Sequence, residues 1–463
     1  MPQQAEQAEL QTTNPTTGER LPAHPWQSDA QVESTLESAV AAARDWGQAR
    51  FDERARVLKA VAKLLREQRS DLAQTITLEM GKPIGEAEAE IDKSAWNCEY
   101  VAEHAAGWLA DEIVPTNAAL SYVAHRPLGM LLAILPWNFP VWQVFRCAVS
   151  ALMAGNTFLL KHAPNVPQSA VKVTRLFEQA GAPAGVFQNL HIPVPRIAGV
   201  ISDARIAMVS FTGSPGAGAA VAARAGAACK KSILELGGSD AFIVLEDADL
   251  DAAVAAAVRG RFVNCGQVCL AAKRFIVTDA VSAEFEARFA AAIQALRIGD
   301  PLDRTTQLGP LARADLRDVL DKQVRRSVEK GARVVTGGHA LNGHGYYYAP
   351  TLLTGTDASM EVVAEETFGP VAPMLRARDA EDAVRIANAS RFGLAAVVWT
   401  RDIARARAMA ARLEAGSLFI NGVTASDPRL PVGGVKLSGY GRELGAAGIR
   451  ELVNVQSVWI GPA

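Results

Sequence analysis

The run Met130-Leu131-Leu132-Ala133-Ile134-Leu135-Pro136-Trp137-Asn138-Phe139-Pro140 decides the fold. Six consecutive apolar residues stopped by proline are too few for a helix or a membrane span and read as a buried strand. The chain downstream repeats the pattern. A helix is expected from about Val141, a strand over Thr157–Lys161, a helix from Pro167 to Gln179 and a strand over Val186–His191. A short helix and a strand over Ile206–Phe211 complete the series. Alternation of this kind predicts a parallel sheet with helices on both faces. A second alternating series begins at Ser232, with strands at Ala241–Leu245 and Arg274–Val277 and helices at Asp249–Arg261 and about Ser282–Leu296. The fold class is therefore α/β, with two parallel-sheet domains.

Upstream, Asn14-Pro15-Thr16-Thr17-Gly18 reads as a turn. Ser28 caps a helix with Val32, Leu36, Val40, Ala43 and Trp46 on one face. A second helix spans about Asp52–Gln68, and a third starts near Ile84 with Ile91, Ala95, Cys98, Ala102, Ala105 and Leu109 on its apolar stripe. Leu120–His125 reads as a strand, either a local hairpin or part of an arm. The β-rich tail Leu452–Ile460 reads as an edge strand needing a partner.

Composition narrows the function. The chain has 463 residues, 49% hydrophobic and 21% charged, with a formal net charge of −2. That balance is globular and carries no electrostatic footprint for nucleic acid. Met1 to Leu10 is polar and acidic and predicts no secretory signal. Five cysteines without a CxxC framework fit a reducing compartment, so a soluble cytoplasmic protein is expected.

Ligands of parallel sheets bind beyond the carboxyl ends of the strands, so the polar residues there are the candidates. Asn138 offers an NH₂ donor able to hold an oxyanion, and otherwise closes a turn. Lys161 can reach a ribose or phosphate, and otherwise is solvated. Gly213-Ser214-Pro215 leads from a strand into a helix, a place that favours phosphate although Gly-x-Gly-x-x-Gly is absent. Glu235 before Gly237-Gly238 is a general base if burial raises its pKa, and otherwise a surface glutamate. Glu365-Glu366-Thr367-Phe368 sets a carboxylate and a ring in one loop, and Pro431–Glu443 is glycine-dense. Asn264-Cys265-Gly266-Gln267-Val268-Cys269 lies between a helix and a strand. It presents a candidate nucleophile, and otherwise its cysteines are packing residues.

Pro136–Pro140, Phe211–Ser214, Glu235–Gly238, Gly266–Cys269, Glu366–Pro370 and Gly433–Glu443, in this order across nearly the whole chain, resemble the aldehyde dehydrogenase superfamily. Leu159–Asn165, Leu234–Ala248 and Gly266–Val277 look like the NAD(P)-dependent bacterial succinate-semialdehyde dehydrogenases. The resemblance implies Cys269 as nucleophile, Glu235 as base and Asn138 with the Cys269 amide as oxyanion hole. It implies Lys161 and Glu366 as ribose contacts, Gly213-Ser214 at the pyrophosphate, and Phe368 and Trp137 near the nicotinamide of NAD or NADP. It also implies Rossmann-like architecture. In it, residues 1–106 and 127–234 are expected to form a dinucleotide-binding domain, 235–430 a catalytic domain and 431–444 a linking loop. Residues 107–126 and 445–463 are expected to form an oligomerisation arm for a homodimer or homotetramer. No metal, nucleic acid or membrane partner is expected.

Two departures sharpen the expectation. Where many relatives carry a ribose-binding glutamate, three residues after the lysine, this chain has Pro164, so dual use of NAD and NADP is expected. Arg146 stands where succinate-semialdehyde enzymes place a carboxylate-binding arginine. Val263 occupies the place of a second one, which makes Arg429 the candidate replacement. The alternatives are a broader aliphatic or glutarate-semialdehyde dehydrogenase, a cysteine esterase or hydrolase using the same thiol, and a non-catalytic binding protein. Cys265 either pairs reversibly with Cys269 or fills space.

Overall fold

The computed structural model describes residues 9–461; the first eight residues and the last two of the expected arm lie outside the described residues. Ser28 caps helix Asp29–Gln48 through a reciprocal capping box with Gln31. Helices Phe51–Glu67, Arg69–Met80 and Ile84–Trp108 come next. The middle one has no counterpart in the sequence reading. It buries Thr75, Thr77 and Glu79 along with its apolar residues, so no polar stripe marks a solvent face.

The first sheet has six strands in the order Gly439–Tyr440, Lys231–Glu235, Ile206–Thr212, Met130–Leu135, Thr157–His162, Phe187–Asn189. All but the first are parallel. Met130–Leu135 is buried at every position because it is central and covered on both faces. One face packs on helices of residues 51–108, with Phe145, Phe158, Phe177 and Phe187 stacked ring on ring. Burying each ring stabilises the fold by about 1.5–3 kcal/mol. The other face packs on Val32, Leu36 and Ala39 of the Ser28-capped helix.

The second sheet has seven strands in the order Arg333–Thr336, Thr351–Thr354, Val371–Ala377, Ala272–Thr278, Asp240–Val244, Ala395–Trp399, Ser417–Ile420. Only its Arg333–Thr336 edge is antiparallel. Lys231–Glu235 pairs with Ile206–Thr212, so the stretch at Ser232 closes the first sheet rather than opening the second. Periodicity locates a strand but not its neighbour. The chain passes between the sheets through Leu236–Ser239. Residues 431–444 stitch them back together: Val435–Lys436 pairs with Phe392–Gly393, and Gly439–Tyr440 with the strand ending at Glu235.

The C-terminal edge strand finds its partner within the chain. Val453–Ile460 runs antiparallel to Leu120–Pro127, which also pairs with Glu112–Ile113. In this three-stranded sheet Val453–Ile460 is the longer of the two outer strands, with Val455 and Trp459 exposed.

Candidate active site

The two sheets meet with opposite ends. The first contributes the carboxyl ends of its strands: Leu135 and His162 are in register, and so are Thr212 and Glu235. The second contributes amino ends. Cys269 precedes Ala272–Thr278, and Glu366 and Phe368 precede Val371–Ala377. The expectation that every candidate follows a strand therefore holds for Asn138, Lys161, Ser214 and Glu235. It is corrected for Glu366 and Phe368, because the second sheet faces the cleft with its other edge; Cys269 precedes a strand, as its place between a helix and a strand implied.

The cysteine loop is built on backbone that ordinary residues avoid. Asn264 (φ 52°), Cys265 (φ 55°) and Gly266 (φ 73°) are consecutive left-handed residues. Each non-glycine of this kind costs about 1–3 kcal/mol. At Gly266 a Cβ would strike the carbonyl of Gly369, so glycine is required there. Buried hydrogen bonds offset the strain. The Asn264 amide donates to Glu86 Oε2 at 2.7 Å, and Asn264 Nδ2 donates to Asn138 O at 2.8 Å. Gln267 Nε2 donates to Asn264 O at 3.1 Å, while Gln267 Oε1 accepts from the Ala312 amide at 2.9 Å.

Asn138 is buried, and its Nδ2 donates to Gln267 O at 2.9 Å. That bond uses one of the two N–H groups and fixes the amide plane two residues from Cys269, leaving the second for a ligand oxygen. Its loop is pinned twice. His162 accepts from the Ala163 amide through Nδ1 (2.9 Å), so the proton lies on Nε2, which donates to Pro140 O at 2.8 Å. Burial pushes that imidazole down to about 4, keeping it neutral. Glu90 Oε1 accepts from the Val141 and Trp142 amides at 2.8 and 2.9 Å, starting helix Trp142–Met153, and its other oxygen pairs with fully buried Lys82.

One turn into that helix lies Arg146, 2% exposed. Its Nε pairs with Glu443 and its Nη2 lies 3.8 Å from Glu235 Oε2. Burial pushes Glu235 up to about 8, opposed by Arg146 and reinforced by Glu443. Glu235 Oε1 is buried without a hydrogen-bond partner. A Cβ at Gly433 would come within 2.8 Å of it, so glycine keeps this space open. Burial also raises the Cys269 thiol, with Arg146 and Lys273 pulling it down and Glu235 and Glu366 pushing it up. Thiol, carboxylate and guanidinium are thus one electrostatic unit. Arg429 is an exposed side chain paired with Asp427 at 2.7 Å and lying over the Trp96 ring.

The neighbouring edge suits a dinucleotide. Lys161 is 3% exposed, donates to His162 O at 2.7 Å, and is lowered to about 8 by burial alone. A buried ammonium without an acidic neighbour fits an anionic or hydroxyl-rich ligand. Both polar side-chain atoms of nearby Asn165 are buried without partners. Gly213 donates to Glu235 O, and Ser214 Oγ caps helix Pro215–Ala227 with its amino end open. Trp137 and Phe368 meet edge to face at 5.7 Å, and Glu366 Oε1 is held by Lys273 Nζ (2.9 Å) and the Gly238 amide (3.1 Å). The residues present therefore fit NAD or NADP.

Sequence reading missed Glu86, Glu90, Lys82, Lys273 and Lys93. All five are charged residues on or just before helix Ile84–Trp108 or beside the cysteine motif, and only their tertiary partners reveal them. Cys265 is 1% exposed and free, packed in the second core, which matches the space-filling reading. Among the described residues no helix is long and apolar enough to cross a membrane.

A family model described as Aldehyde dehydrogenase family matches residues 2–458. The chain is 50% identical over 446 residues to the succinate semialdehyde dehydrogenase (NAD(P)+) Sad of Escherichia coli strain K12, covering 96% of each. It is 46% identical over 451 residues to a probable NADP(+) succinate-semialdehyde dehydrogenase of Synechocystis, covering 97% of this chain and 99% of the relative. The crystal structure of succinic semialdehyde dehydrogenase from Streptococcus pyogenes with NADP+ superposes with a TM-score of 0.96 at 36% identity, covering 98% and 100% of the two chains. The chain belongs to the aldehyde dehydrogenase family.

Proposed function

We propose that this enzyme oxidises succinate semialdehyde, or a similar small carboxylated aldehyde, to the acid with NAD(P)+. The observation that carries the chemistry is the electrostatic unit of Cys269, Glu235 and Arg146 beside the fixed Asn138 amide. The relatives' substrate supports the choice of aldehyde.

In this reading the Cys269 proton leaves to solvent, and the Arg146 and Lys273 cations stabilise the thiolate. The thiolate sulfur bonds to the aldehyde carbon. The carbonyl oxygen becomes an oxyanion held by the free Asn138 N–H and the Cys269 amide. The cofactor, when bound, supplies the hydride acceptor; Trp137, Phe368, Glu366, Lys161, Gly213 and Ser214 hold it. What remains on Cys269 is a thioester. Glu235 takes a proton from water, whose oxygen displaces the sulfur. Two protons are released for each aldehyde oxidised. A hydrolase using the same thiol would leave the buried Lys161 charge without a purpose.

Lys161 has no acidic neighbour and Pro164 stands in place of a carboxylate, which supports both cofactors. Turnover is expected with NAD+ and with NADP+, and strict NAD dependence at saturating cofactor would refute it. Assayed with succinate semialdehyde, glutarate semialdehyde and butanal, the carboxylated aldehydes are expected to give the larger kcat/KM; equal values would sink the substrate assignment. Asn138→Ala is expected to lower kcat by about 10²–10³-fold, the loss of one oxyanion donor. A change confined to KM would remove Asn138 from that role.

The same reading extends to assembly and location. The exposed edge strand Val453–Ile460, with Trp459 58% and Val455 60% exposed, supports a homodimer or homotetramer through the arm. The free thiols support a soluble enzyme of the cytoplasm.

A further inference from the structure

A substrate carboxylate needs a cation, and both arginines expected to supply it are already matched by the protein. Arg146 is held by Glu443 and Glu235, and Arg429 by Asp427. Lys93 differs. It lies half-buried on helix Ile84–Trp108, and its Nζ donates to Ser426 Oγ at 2.8 Å and sits 4.4 Å over the Trp142 ring. Trp142 Nε1 donates to the same Ser426 oxygen at 3.1 Å, which locks the arrangement. Among the described residues no carboxylate forms an ion pair with Lys93, so two of its three N–H donors are uncommitted. Trp142 and Arg146 are one turn apart on one helix, so the ring beneath Lys93 and the Arg146–Glu235 pair are carried by the same helix. Trp142 belongs to the buried apolar cluster against which Cys269 packs, so the ring beneath Lys93 borders the surroundings of the nucleophile.

We infer that Lys93 is the specificity-determining cation that receives the distal carboxylate of the substrate, with Ser426 and Trp142 holding its ammonium in place. This role rests on the proposed carboxylated-aldehyde activity and assigns its recognition to a residue on another element. Burial and Arg146 draw the Lys93 ammonium down to about 8, while Asp427, Glu90 and Cys269 act the other way. An arriving carboxylate offsets that burial, whereas an uncharged aldehyde leaves the ammonium without an ion-pair partner.

The test compares succinate semialdehyde with butanal in the wild type and in Lys93→Met, Lys93→Gln and Lys93→Arg. Removing the charge is expected to lower the ratio of the two kcat/KM values about 30-fold or more, mainly through the KM for the semialdehyde. Lys93→Arg is expected to keep most of the preference. If the wild type has no preference, the substrate reading itself fails. If the wild type prefers the semialdehyde and both neutral variants retain that ratio, the Lys93 assignment is overturned while the substrate reading stands. An equal loss on both aldehydes marks a structural role and also overturns it. Lys93→Gln keeps a polar side chain over Trp142 should the methionine variant fold poorly.

Discussion

Cys269→Ala is expected to lower kcat by at least about 10⁴-fold, the scale on which losing a covalent nucleophile acts. No second thiol stands ready to replace it: Cys229 is exposed but lies before the amino end of strand Lys231–Glu235, whose carboxyl end faces the cleft. Cys265 is four residues away but 1% exposed, packed with core residues, and its thiol is pushed far up by burial. Cys98 and Cys147 are equally enclosed, and burial raises both thiols. Cys269 is the partly exposed thiol with two cations acting on it, Arg146 and Lys273. Steady-state rates of Cys269→Ala and Cys265→Ala settle the matter: the first should be silent, and the second should stay within a few-fold of wild type. Loss of turnover in Cys265→Ala with retention in Cys269→Ala would reverse the assignment of the nucleophile.

How much could be read from the chain depends on how local each signal is. Met130–Leu135 and the Pro167–Gln179 helix were legible because apolar runs and proline act within one element. The Ser28 cap is likewise a contact across three residues. The site residues were legible as motifs at strand ends, and the family resemblance supplied their roles. The supports were not legible. Glu86-Ala87-Glu88-Ala89-Glu90 looks like an acidic solvent face, yet Glu86 holds the cysteine loop and Glu90 starts the helix that carries Arg146. Those contacts span 178, 51 and 52 residues of sequence, and no periodicity encodes them. The charge balance was equally hidden. Arg146 looks free as a residue type, and only tertiary packing shows Glu443 and Glu235 against it and leaves Lys93 available.

Glu235→Gln separates the two halves of the reaction. Glutamine keeps the shape of the side chain but cannot take a proton from water, so the thioester should form and then wait. The expected result is a burst of NAD(P)H of about one equivalent per site, then steady turnover slowed about 10²–10⁴-fold. The pH profile tests the same group. Burial raises the Glu235 pKa to about 8, so the ionised base is present above that value and is lost below it. Wild-type kcat should therefore climb as pH rises from about 6.5 through 8, and this limb should vanish in Glu235→Gln, where no carboxylate titrates. The thiol adds a limb of the same sign, because burial raises Cys269 too, but it governs acylation and shows in the burst rate rather than the slow phase. A Glu235→Gln variant that turns over at the wild-type rate, or shows no burst while remaining slow, would move the base elsewhere. Glu443, across Arg146 from Glu235, is then the carboxylate to replace next.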